Sequence, residues 1–174
     1  MGTGKSTLGL EISKLTGVPN IPMDRVRWYY YLKDGYSMQS EAALKDDFPE
    51  TMKYWKPFEV RAVKRIIQEF PNAIIDFGAG HSYFVDPMQF DEVQATLSEI
   101  PGVVLVLPSP DRAESLQICN ERLLERRKKP LEKIEIEANR AFIEHESNRK
   151  LAKQTVYTHG KTVRQTAEEI LNLF

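Results

Sequence analysis

Residues 2–7 read Gly-Thr-Gly-Lys-Ser-Thr and run without a break into Leu8, Ile12 and Leu15, apolar positions at i, i+4 and i+7. A glycine turn that ends in Lys-Ser-Thr and opens an amphipathic helix is constrained twice. The glycines permit backbone conformations and close approaches that a side chain forbids, and the helix start directs unbonded N–H groups and partial positive charge at whatever sits on the loop. The stretch matches the back half of G-x-x-x-x-G-K-[ST]. The expected occupant is therefore a nucleotide's phosphate chain, cradled by Gly2, Thr3, Gly4, Lys5, Ser6 and Thr7. Lys5 would bridge the β- and γ-phosphates, and the Ser6 hydroxyl would bind Mg²⁺. The competing reading is a chance glycine turn ahead of a helix.

The rest of the chain alternates helical periods with short β-branched runs, the pattern of an α/β protein in three α/β/α layers around a parallel sheet. A strand is expected at Val18 to Met23, and helical pieces over a substrate-side segment at about 25–56. Next come a helix marked by Val60, Val63, Ile66 and Phe70, a strand at Ala73 to Phe77, a helix at Met88 to Glu99 and a strand at Val103 to Leu107. The chain ends with a helix at Asp111 to Arg127 capped by Asp111, one long polar helix at about Leu131 to Lys153, a strand at Thr155 to Tyr157, and a last helix with Val163, Ala167, Ile170, Leu171 and Phe174 on one face. At 174 residues, 41% of them hydrophobic, the sequence reads as a single domain, 1–174. With 24 basic and 25 acidic residues there is no global field for nucleic acid, so bound anions must meet local clusters. No run is long and apolar enough for a membrane span. Cys119, the one cysteine, excludes an internal disulfide and suits a reducing, cytoplasmic setting.

The run GTGKSTLGLEISKLTGVPNIPMD resembles the first loop, helix and second strand of the shikimate kinases and related small P-loop kinases. In that family an Asp-x-Asp closes the strand; here Pro22 replaces the first acid and Asp24 matches the second, so the resemblance implies that Asp24 touches the substrate hydroxyl. A helix cap is the plainer role for Asp24. Trp55-Lys56-Pro57-Phe58-Glu59 resembles the family's Phe-Arg-x-x-Glu, which implies substrate-carboxylate binding at Lys56, with Arg61 one turn on as a substitute. Gly78-Ala79-Gly80 resembles a glycine turn that the substrate approaches closely. Arg122 and Lys129 have the spacing of the family's lid, about 122–135, where the first arginine packs on adenine and the second faces phosphate or substrate; a run of cations favoured by the helix dipole is the plainer reading. His159-Gly160-Lys161 falls where a loop contacts adenine.

Asp76 ends what reads as a Walker B strand. It serves either as a Mg²⁺ contact replacing the acid that Pro22 lacks, or as a strand-end acid bonding the glycine turn. His81 is expected as an exposed turn histidine, Trp28 to Tyr31 as packing, and Cys119 as core.

The implied activity is ATP- and Mg²⁺-dependent phosphorylation of a hydroxyl on a small, anionic metabolite. Lys5, Asp24 and Lys129 would be catalytic, and Ser6 and Asp76 would hold the metal. A nucleoside or nucleotide kinase and a non-catalytic nucleotide-binding module are the rival readings. The family's sheet has strand order 2-3-1-4-5, and its central first strand is absent from this sequence. The strands at Ala73 and Val103 are expected to flank a slot or collapse together, and Met1 is expected to be an internal methionine of a longer chain.

Overall fold

The computed structural model describes residues 1–44 and 47–174; residues 45 and 46, within the expected substrate-side segment, lie outside the described residues. Helix α1 spans Lys5–Thr16 and ends where Gly17 turns left-handed, its N–H bonded to the Ser13 carbonyl. Strand β1 (Asn20–Pro22) then passes directly into α2 (Met23–Lys33). A short α3 (Met38–Ala42) precedes α4 (Phe48–Glu69). The latter is far longer than the apolar period at Val60 to Phe70 predicted, because it also presents Tyr54 and Trp55 to the aromatic cluster, and it continues through Pro57 although an interior proline removes a helix hydrogen bond. Strand β2 (Ile74–Asp76) leads into a 3₁₀ turn over Ala79–Ser82, then α5 (Pro87–Ser98), β3 (Val104–Leu107) and α6 (Arg112–Arg127). Asp111 caps α6 by accepting from the Glu114 N–H at 2.7 Å, as its position predicted.

The single polar helix expected from Leu131 to Lys153 is two helices, α7 (Lys133–Glu144) and α8 (Glu146–Leu151). His145 adopts an extended conformation between them. Its Nδ1 accepts from the Ser147 N–H at 3.1 Å, while the Asn148 side chain donates to the Phe142 carbonyl at 2.6 Å. Side chains thus satisfy the backbone groups that a continuous helix would have paired. Strand β4 (Gln154–Tyr157) and α9 (Val163–Leu171) complete the chain. Ala167 and Ile170 of α9 are buried, whereas Val163 and Phe174 are largely exposed.

β1 pairs with β2 and β3 with β4, both parallel, in register Asn20 with Ile74 and Val104 with Gln154. Consecutive strand residues face opposite sides of a sheet. Ile75 accordingly packs into a large cluster with α2, α4 and α5 that includes Met23, Tyr31, Val63 and Val93. Ile74 packs into a smaller one, with Leu8 and Ile12 of α1, Val106, Val156 and Ala167. Helices therefore cover both faces of the strands, the layered α/β arrangement.

Among the described residues β2 and β3 share no ladder. Between them lies an apolar cavity of about 430 Å³, walled by Ile74, Ile75, Val104, Leu105, Leu8 and Ile12 among others. The two strand pairs flank a slot and do not collapse together.

Candidate active site

A second cavity, of about 750 Å³, opens beyond the C-terminal ends of β1 and β2. This is where parallel α/β sheets leave room for ligands. At one end is the loop Gly2–Thr7. Gly2 (φ 86°) and Gly4 (φ 100°) are left-handed, and a Cβ on Gly2 would stand 2.6 Å from the Cys119 carbonyl oxygen, so the turn needs glycine for both conformation and clearance. Gly4 caps α1 with no side-chain hydrogen bond, and the first turn of α1 carries no acid. The positive end of the helix is left for an external anion. Lys5 lines the cavity, its Nζ only loosely held at 3.4 Å from the Thr3 hydroxyl.

Asp76 ends β2 next to the loop and is buried. Burial pushes its carboxyl up from the ordinary range, while the Ser6 hydroxyl and the Lys5 ammonium pull it back and the Asp24 charge adds to the rise. Among the described residues no three His, Cys, Asp or Glu side chains converge as a metal cage. A hydroxyl and one carboxylate fit Mg²⁺ well, since that ion retains waters and takes phosphate oxygens in place of a full protein shell.

Asp24 lies across the cavity in the first turn of α2, largely exposed. It does not cap that helix: Pro22 is the N-cap residue, with no side-chain cap bond. Its carboxylate lies against Gly78, where an added Cβ would overlap it and would also approach His81 Nδ1 to 2.7 Å. A Cβ on Gly80 would likewise overlap the Glu59 carboxylate. The two glycines are therefore demanded by neighbouring side chains, and Gly80 itself lines the cavity. The Ala79 side chain is outside the described residues.

Three expected cations stand elsewhere. Lys56 is buried, donating to Glu59 and, at 2.8 Å, to the Gly80 carbonyl, so its charge is consumed inside the protein. Arg61 turns to the outer side of α4 and donates to Asp34 at 3.0 Å, where Arg65 joins it at 2.7 Å. Lys129 lies beyond the left-handed Lys128 that ends α6, exposed and away from the cavity wall. The lid-side cations that do line the cavity are Arg122 and Arg126. Arg122 donates to the Thr158 hydroxyl at 3.1 Å and leans on the Gly2 carbonyl at 3.4 Å, tying α6 and the end of β4 to the loop. Lys161 also lines the cavity, close to where the adenine-side loop was expected.

His81, expected to be exposed, is completely buried. Its Nε2 stands 3.3 Å from the Tyr31 hydroxyl, and burial pushes the imidazole down to about 3, with the Arg27 and Lys56 charges adding to the fall. Tyr30 and Tyr31 are core as expected, while Tyr29 faces outward. Cys119 is fully buried.

Arg27, Trp55 and Glu59 are among the wall residues to which the sequence assigned no binding role. Arg27 was legible only as helical spacing, since i+3 from Asp24 shares its face. Glu59 is 1% exposed, and burial pushes its carboxyl up although Lys56 opposes the rise.

No family model matches the sequence. A shikimate kinase from Parabacteroides distasonis is 27% identical over 119 residues, which make up 68% of this chain and 61% of that protein, so the match spans less than two thirds of the relative's length. Among solved structures, a shikimate kinase from Acinetobacter baumannii in complex with shikimate aligns with a TM-score of 0.69 and 18% identity, over 99% of this chain and 87% of that one. The chain has the fold of a shikimate kinase-like P-loop kinase.

Proposed function

We propose that the protein transfers the terminal phosphoryl group of ATP, with Mg²⁺, to a hydroxyl of a small anionic acceptor of the shikimate type. The observation that carries this reading is one cavity with an anion-seeking loop at one end and a carboxylate, Asp24, across from it at the strand ends. Bound Mg·ATP would supply the electrophilic phosphorus and neutralise charge on its oxygens.

The chain's own residues do the rest. The loop amides and Lys5 hold the phosphates, and Ser6 with Asp76 forms the metal side. Arg122 and Arg126 face the charge that spreads over the phosphoryl oxygens, worth most where water is excluded. Asp24 accepts the hydrogen bond of the attacking hydroxyl and takes its proton as the new P–O bond forms and the bond from the γ-phosphorus to the bridging oxygen breaks, with ADP as the leaving group. The resemblance to proteins named shikimate kinases supports this choice of acceptor class. Lys129 remains a lid residue that enters the site only when the segment after α6 closes.

ADP release, measured across shikimate, other hydroxy acids, nucleosides and nucleotides, tests the proposal. Turnover with shikimate-type hydroxy acids is expected. Turnover confined to nucleosides or nucleotides would replace the acceptor class, and Mg·ATP binding with no acceptor-dependent ADP release would leave a nucleotide-binding module.

A further inference from the structure

We propose that Arg27 is the residue that reads the acceptor's negative charge, a specificity role that rests on the phosphoryl-transfer reading above. The acceptor half of the cavity contains two carboxylates, Asp24 and Glu59, and an anion can enter it only against a compensating cation. Lys56 is committed to Glu59 and the Gly80 carbonyl, and Arg61 and Arg65 to Asp34. Arg27 remains, one helical turn from Asp24 on the same face of α2.

Its guanidinium is stacked on aromatic faces. It lies 4.4 Å from the Trp28 ring centroid, 5.1 Å from that of Trp55 and 6.0 Å from that of Tyr31. The three rings hold the guanidinium in place, and its N–H donors are what it has for recognising an anion. Arg27 Nε is buried with no hydrogen-bond partner among the described residues, and so is Glu59 Oε1. One orphaned donor and one orphaned acceptor thus belong to two side chains that line the same cavity. A ligand carrying a carboxylate for the first and a hydroxyl for the second would satisfy both. A purely structural stack between α2 and α4 would explain the aromatic contacts but neither orphan.

The test measures binding of shikimate and of its uncharged carboxamide to the ADP-loaded protein by calorimetry, alongside KM and kcat, for the wild type, Arg27→Met and Arg27→Lys. Methionine retains most of the stem that packs on the rings. Loss of a charge-assisted hydrogen bond is expected to weaken shikimate binding roughly 10- to 100-fold in Arg27→Met, with the carboxamide and the melting temperature little changed. Arg27→Lys should fall between, because it keeps charge without the fork. Equal loss for acid and amide, or none for either, would overturn the role of Arg27 while leaving the acceptor reading in place. Failure of the wild type to bind either compound would overturn both.

Discussion

Lys5, Arg122 and Arg126 at the loop end of the cavity and Lys56, Arg61 and Arg65 along α4 are the same kind of residue in opposite circumstances. Each of the second set meets a carboxylate of the protein: Glu59 for Lys56, Asp34 for the two arginines. None of the ion pairs among the described residues involves the first set. A cation matched within the chain contributes to the fold. One that lines the cavity without an ion-pair partner there is kept for a charge that arrives from outside. The sequence alone shows both sets as cations on helices, and only the distribution of acids in space separates them.

Substitutions can break this contrast. Lys5→Ala should abolish phosphoryl transfer and Asp24→Asn should lower kcat by roughly 10²–10⁴-fold, while the melting temperature of each stays near that of the wild type, since neither side chain is packed in the core. Rates near wild type in these variants would show that the loop and Asp24 are not the reacting ends of the cavity. Lys56→Met should do the reverse. It leaves Glu59 buried and unpaired, at a cost of about 3–5 kcal/mol in denaturant unfolding, and a second change Glu59→Leu should recover most of it. A stable Lys56→Met protein with a selectively raised acceptor KM would return Lys56 to the binding site.

His81 sharpens the contrast from the side of a group that must stay neutral. Burial holds its imidazole at about 3, below the usual 6.5, so the stabilisation from the uncharged ring is complete above pH 6.5 and is lost as pH falls toward 3. Unfolding free energy should drop by up to about 1.4 kcal/mol per pH unit over that window, and His81→Gln should flatten the slope. An unchanged acid limb in that variant would mean that the ring is protonated without penalty. Arg61→Ala is the mildest case. Arg65 still serves Asp34, so a loss of about 1 kcal/mol or less is expected, with no change in acceptor KM.

How much could be read from residues alone follows the range of the interaction. The loop, α1 and its Gly17 stop are local, and they were legible because glycine conformation and helix period are written within a few positions. The Asp111 cap was legible for the same reason. The break at His145 was not, because it depends on Asn148 reaching back to the Phe142 carbonyl. Lys56 and Arg61 were expected at the substrate because Trp55 to Glu59 resembles the family's Phe-Arg-x-x-Glu; in the structure each meets a carboxylate of the protein. Glu59 sits at i+3 from Lys56, a spacing at which that pairing could have been anticipated. The aromatic stack that fixes Arg27 joins α2 to Trp55 on α4, and no local pattern announces it.

The slot between β2 and β3 bears on how the molecule comes apart. In a continuous sheet a shared ladder makes neighbouring strands open together. Here the β1–β2 pair belongs chiefly to the large aromatic cluster and the β3–β4 pair to the smaller one, and they are joined through α1 and the Ile74 side chain. Each pair can therefore loosen without first breaking a hydrogen bond of the other. For the 174-residue chain, amide hydrogen exchange is expected to show two cooperative units with separate opening free energies, and nucleotide on the loop of α1, the element both units touch, to draw them toward one.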